Sequence, residues 1–166
     1  MCLTKSSMKT TGLSELKKEL QLLPSKELVD LCVSLAKYKK DNKEYLGYLM
    51  FESHDKTVFA NEVRAEIDEH FSTLKTQNNL YLIKKSLRKI LRFINKYCKY
   101  VNDKAISADL HIYFCDKMKN SGIPVHKSQL LINMYKQQLK KINSLIATLH
   151  EDLRNDYARD LERIAL

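Results

Sequence analysis

The stretch at residues 80–101, LYLIKKSLRKILRFINKYCKYV, decides the fold class of this chain. Apolar residues recur in it every three or four positions, so they share one face at 3.6 residues per turn. That apolar face consists of Ile83, Leu87, Ile90, Leu91, Ile94, Cys98 and Val101. A segment of this length, with helical periodicity and without Gly or Pro, predicts a long helix that packs one side on a core.

The other side of the predicted helix is basic. Its cations, called the basic face below, are Lys84, Lys85, Arg88, Lys89, Arg92, Lys96 and Lys99, with the aromatic residues Phe93 and Tyr100 at the edge. Like charges four residues apart repel each other by a few tenths of a kcal/mol per pair. The helix must therefore be held by its tertiary packing or by something negative outside it.

The basic face accounts for most of the charge imbalance of the chain. The net charge is +9, and residues 71–102 carry eight basic residues and no acidic one. Glutamates of the preceding helical segment, Glu62, Glu66 and Glu69, could neutralise part of it. A second stretch without acidic residues runs from Lys117 to His150, and whether the two stretches share a surface stays open.

Composition extends the helical prediction to the whole chain. Three glycines and two prolines in 166 residues are too few for the many turns of an all-β protein. We predict an all-α fold of about six to eight helices, arranged as an irregular bundle or a stack of helical hairpins. Residues 1–12 are predicted to be a flexible N-terminus, and residues 13–166 a single domain.

Periodicity and breaking residues divide the chain into predicted segments. The predicted helices cover residues 13–22, 25–39, 58–75, 80–101 and 106–120, followed by a long C-terminal helical segment at 127–165. Residues 42–52 are predicted only as a largely buried apolar segment. The apolar stripe Leu28, Cys32 and Leu35 and most of residues 42–52 are expected in the core. The C-terminal segment is either one helix with a phase change or two helices broken near Asp156, and it is a candidate surface for homo-oligomers.

Signatures of catalysis and metal binding are weak in this sequence. His111 and Cys115 are four residues apart, which suits two metal ligands, but no second pair completes a site, so a partly buried histidine and a core thiol are favoured. Neither a phosphate-binding glycine loop nor a G-x-S-x-G motif occurs. The sequence thus predicts no catalytic residue, metal site or cofactor, although catalytic groups that meet only in space stay open.

The basic face leaves three interpretations. The function we predict is non-catalytic binding of a polyanion such as nucleic acid, in which Lys and Arg hold phosphates while Phe93 and Tyr100 pack on bases. A second interpretation is a site for an acidic protein. In the third, the face is merely solvated and the chain is a protein-interaction or scaffold domain. An anionic membrane surface is less favoured, because the apolar side of the helix is needed by the core. Nucleic-acid binding would be weakly sequence-specific. The row lacks the Asn, Gln and Arg pattern of a base-reading helix, and no helix-turn-helix with a short Gly-bearing turn precedes it. With neither a signal peptide nor an apolar span, the chain is expected to be cytoplasmic.

The opening pattern LSELKKELQLLPSKELVDL at 13–31, followed by NKEYLGYL at 42–49, resembles the start of small helical bacterial proteins grouped as a domain family of unknown function. The segments LRKILRFINKY and LHIYFCDKM stand where such proteins carry their central helices. The resemblance implies an all-α bacterial domain, and it implies no activity and no functional residues.

Overall fold

The computed structural model describes residues 11–74 and 79–166, and the predicted flexible N-terminus lies almost wholly outside them. The chain is all-helical, as the sequence predicted. The α-helices, in chain order, are α1 (Leu13–Leu22), α2 (Ser25–Tyr38), α3 (Lys40–Gly47), α4 (Lys56–Ser72), α5 (Leu80–Val101), α6 (Lys104–Asn120), α7 (Gln129–Ile146), α8 (Glu151–Asp156) and α9 (Ala158–Arg163). A short π-helical turn at Tyr48–Glu52 lies between α3 and α4, and a 3-10 turn at Val125–Lys127 lies between α6 and α7.

The helices fall into two compact units. The first ends at Leu49 and contains α1, α2 and α3, whereas the second runs from Met50 to Leu166 and contains the other helices. The prediction of one domain from residue 13 to residue 166 stays a prediction. Within the described ranges, no helix has the length and apolar character that crossing a bilayer requires.

The first unit has almost no core of its own. Two of its helices, α2 and α3, pack side by side, yet neither contains a buried residue. The expectation that Leu28, Cys32 and Leu35 would be buried is therefore wrong, since all three remain partly or largely exposed. Most of residues 42–52 is exposed as well, with Tyr48 as the buried exception.

The second unit holds the core. Six apolar residues of α4 and its following turn are buried: Phe59, Ala60, Val63, Ile67, Phe71 and Leu74. On α5 the predicted apolar face is buried except for Cys98, which is half-buried. The central helix is α6, which buries eight residues and packs against α4, α5, α7 and α9. Asp55 and Asp103 begin α4 and α6 as N-caps, since each carboxylate accepts two backbone N–H groups.

The C-terminal segment folds back on the core rather than continuing as one helix. The predicted break near Asp156 is present at Tyr157, but a second break, at residues 147–150, was not predicted. Tyr157 donates a hydrogen bond of 2.8 Å to Asp109, and the buried Tyr135 hydroxyl donates one of 2.7 Å to the carbonyl of Ile164. These bonds fix α8 and α9 to α6 and α7.

Candidate functional site

The helix that carries the basic face is firmly positioned. It begins at an N-cap, Asn79, whose side chain accepts the N–H of Tyr81 at 2.9 Å, and it ends at Asn102 in the left-handed conformation with φ of 48°. Its apolar side packs on α4 and α6. Because both ends and one side are fixed, the opposite side is presented as a rigid row.

Most of the basic face is exposed, and most of its cations form no ion pair with another described residue. Five of its cations are exposed, namely Lys85, Arg88, Lys89, Arg92 and Lys99, while Lys84 and Lys96 are half-buried. Among the described residues, no acidic side chain forms a salt bridge with any of these five or with Lys84. The positive potential of the row is thus not cancelled by direct pairing.

The glutamates of α4 do not pair directly with the row in the described part of the chain. Glu62, Glu66 and Glu69 are exposed, and none forms a salt bridge with a described residue. The acid of α4 that does pair is Asp68, whose carboxylate lies 2.7 Å from Nζ of Lys117 on α6 and accepts the hydroxyl of Tyr113. Partial burial alone would raise the pKa of Asp68, but these two hydrogen bonds outweigh it and lower the pKa.

The edge aromatics that the sequence assigned to base contacts lie in an aromatic cluster. The ring of Phe93 is 4.7 Å from that of Tyr97 and 5.5 Å from His70, and Tyr97 is 5.4 Å from Tyr100. The ammonium group of Lys96 sits over Tyr97, 5.0 Å from the ring centroid. Phe93 and Tyr100 are half-buried here, so their contact with bases stays a prediction.

A different aromatic residue, not singled out from the sequence, accompanies the exposed cations. Tyr81 is 70% exposed and lines a cavity of about 480 Å³ on α5. The other residues lining it are Lys85, Arg88, Leu91, Arg92 and Asn95. The spacing would have revealed Tyr81, because positions 81, 85, 88 and 92 follow the helical repeat and lie on one side of α5.

The second basic stretch meets α5 at one point. Lys141 of α7 donates a hydrogen bond to the side chain of Asn95, at the end of the same cavity. Lys117 is engaged by Asp68, and Lys119 binds the carbonyl groups of Arg163 and Ala165 at 2.9 and 2.7 Å. The two basic stretches are therefore adjacent at Lys141, whereas Lys117 and Lys119 make contacts between elements of the fold.

A buried polar group lies on α6. His111 of α6 is fully buried, and neither imidazole nitrogen has a hydrogen-bond partner of good geometry among the described residues, although the nearby Gln138 side chain favours the protonated form. Burial first, and the nearby positive charge of Lys141 second, lower the pKa of His111 to about 4. Burial also raises the pKa of the Cys115 thiol to about 12. A neutral imidazole and a protonated thiol are the forms expected at neutral pH.

Metal ligation is not assembled in the described part of the chain, where no three His, Cys, Asp or Glu side chains converge. The arrangement that remains is a rigid row of exposed cations with one exposed ring and a neighbouring amide. Such groups can bind anionic oxygen atoms and stack on a planar ring. No family model, curated protein or solved structure matches this chain, so the resemblance to small bacterial helical proteins stays an expectation.

Proposed function

We propose that this protein binds the phosphate backbone of nucleic acid through the basic face of α5, without catalysis. The observation that carries the proposal is the set of six cations that have no salt bridge among the described residues, on a helix whose position is fixed by its caps and its core contacts. Lys and Arg side chains that neutralise phosphates release condensed counterions, and this release drives binding.

The cavity beside the row supplies the groups for a nucleotide. Arg88 and Arg92 lie one helical turn apart, and Tyr81 extends the same side of α5 toward its N-terminus. A guanidinium group can hold a phosphate with two parallel hydrogen bonds, and an exposed phenol ring can stack on any base. Binding of this kind reads charge and stacking rather than base edges, so we expect weak sequence preference.

The test is the binding of labelled single- and double-stranded DNA and RNA at about 50 and about 200 mM salt. If six phosphates are contacted, affinity should fall by roughly 10³-fold between the two salt concentrations. Changing Lys85, Arg88 and Arg92 together to Gln should weaken binding at the lower salt and reduce the slope of log affinity against log salt by about 2 to 3.

The matched control changes Lys127, Lys136 and Lys140 to Gln, which removes the same charge from exposed lysines outside α5. This control should keep most of the affinity and the salt slope. The proposal fails if the natural protein does not bind at about 50 mM salt, or if the control loses as much affinity as the α5 variant does.

A further inference from the structure

The apolar surface of α2 is exposed although its sequence is that of a packed helix. Six large apolar residues, called the α2 face below, are each at least 37% exposed: Leu28, Val29, Leu31, Val33, Leu35 and Tyr38. A helix with apolar residues on so much of its circumference is normally buried. Exposed apolar surface of this extent is typical of an interaction site.

The described residues of the first unit do not supply a cover for this face. Residues 11–49 contain one buried residue, Tyr48, and none on α1 or α2. Leu13, Leu16 and Leu22 of α1 are exposed as well.

Charge indicates which partner fits. Residues 11–49 carry seven basic and six acidic residues, and both signs alternate along α1 and α2. A strongly acidic or basic partner would gain little from such a surface, whereas a second copy presents the same balanced mixture to it. The α2 face thus differs from the basic face, which would repel its own copy.

The shape of the unit also suits a copy of itself. Between α2 and α3 lies a groove of about 260 Å³, lined by apolar side chains and the amide of Asn42. Its lining residues are Cys32, Leu35, Ala36, Asn42, Tyr45, Leu46 and Leu49. In a two-fold interface each copy offers both a ridge and a groove, and paired helical hairpins of this kind form a four-helix bundle.

We therefore propose that two copies of this chain associate through the α2 face, with α2 and α3 of each copy forming the contact. The inference is independent of nucleic-acid binding, and it places self-association in the N-terminal unit rather than in residues 127–165. In that C-terminal segment Ile142 and Ile146 are buried within the second unit, so they are not available to a partner.

The experiment is sedimentation equilibrium of nuclease-treated protein from about 1 to about 200 µM, in about 0.5 M salt so that polyanions do not bridge copies. The natural protein should pass from the chain mass of 19.4 kDa to twice that mass as concentration rises. The double substitution of Leu31→Glu with Leu35→Glu should raise the dissociation constant at least tenfold.

The matched control is Leu130→Glu with Leu153→Glu, which places the same charges on exposed leucines of the second unit and should leave the dimer intact. If the glutamate variant of α2 loses helix by circular dichroism, Leu31→Ala with Leu35→Ala keeps helix propensity and takes its place. A natural protein that stays monomeric at about 200 µM overturns the proposal, and the α2 face is then covered by another protein or by this chain itself. The proposal is also overturned if the control variant dissociates as readily as the α2 variant does.

Discussion

At the scale of single residues, His111 is a side chain whose environment departs strongly from that of a free amino acid. It is fully buried among α6 and its neighbours, with Lys141 near it and no hydrogen-bond partner of good geometry for either nitrogen among the described residues. The sequence predicted a partly buried histidine from its helical spacing with Cys115. The spacing could not reveal complete burial, because residues of α7, such as Gln138 and Lys141, approach the ring from another part of the chain.

The buried imidazole makes the stability of the fold depend on pH. The pKa of His111 is about 4 in the folded protein, below the ordinary value of 6.5, so the unfolded chain binds the proton more tightly. The stability that the neutral imidazole contributes to the fold is complete above pH 6.5 and is lost as the pH falls from there toward 4. We expect protonation of His111 to lower the free energy of unfolding by about 2 to 3 kcal/mol when the pH falls from 7.5 to 4.5.

The measurement is urea unfolding of the natural protein and of His111→Leu at both pH values. Leucine has no proton to bind, so the variant should lack that part of the acid-induced loss while other groups contribute equally to both proteins. If the two proteins lose the same free energy on acidification, His111 is not the group responsible.

At the scale of helices, α5 shows what the sequence can predict. Its bounds, its apolar face and its basic face were all read correctly from the 3.6-residue period, because a single helix with capping residues at both ends is a local structure. The cations of the candidate site were predictable for the same reason, because the 3.6-residue repeat places them on one side of α5. The burial of Phe93 against His70 was not, because His70 belongs to another helix.

Two other segments show what the 3.6-residue periodicity cannot predict. The stripe of Leu28, Cys32 and Leu35 predicts an apolar side for α2, but periodicity does not say what covers that side. The break after α7 contains no Pro or Gly. There the hydroxyl of Thr148 binds the carbonyl of Leu145 at 2.7 Å, and the turn lets Ile164 return to the core. Both outcomes depend on tertiary contacts.

The start of α6 gives a prediction at this scale. The carboxylate of Asp103 accepts the N–H groups of Ala105 and Ile106 at 3.0 and 3.2 Å, which are otherwise unpaired at a helix start. Because α6 contacts four other helices, loss of this cap should affect the whole second unit. We expect Asp103→Ala to lower the free energy of unfolding by about 1 kcal/mol in urea titrations.

Asp103→Asn separates the cap from its charge. Asparagine keeps a capping oxygen but loses the 3.5 Å ion pair with Lys56, which is partly solvent-exposed and therefore weak. The Asn variant should retain most of the stability that the Ala variant loses. If both variants are equally destabilised, the ion pair rather than the cap stabilises this end of α6.

At the scale of the whole molecule, the two units differ in how much each buries. The core of the second unit draws on α4 to α7 and on the returning C-terminal segment, whereas the first unit contains one buried residue among residues 11–49. Regions with few buried apolar contacts open more easily than a packed core does. The stability of this chain is therefore distributed unevenly along its length.

Native-state hydrogen exchange should show this difference directly. Amides in the middle of α5 and α6 should exchange only through global opening, while those of α2 should exchange at least about 100-fold faster in dilute protein. Raising the protein concentration should slow exchange in α2 and leave α6 unchanged if two copies associate through α2. Uniform protection across both units would contradict the uneven distribution.

The spacing of charges on α5 has a further consequence for the free protein. Lys84, Arg88, Arg92 and Lys96 stand one turn apart, so each neighbouring pair opposes the helix that carries it. Dissolved ions screen that opposition within a distance of about 8 Å at physiological ionic strength. Added salt thus favours the ordered helix, whereas it would weaken the proposed binding of the same side chains to a polyanion. If the proposed function holds, the ionic conditions that best preserve the free protein are those in which it binds least.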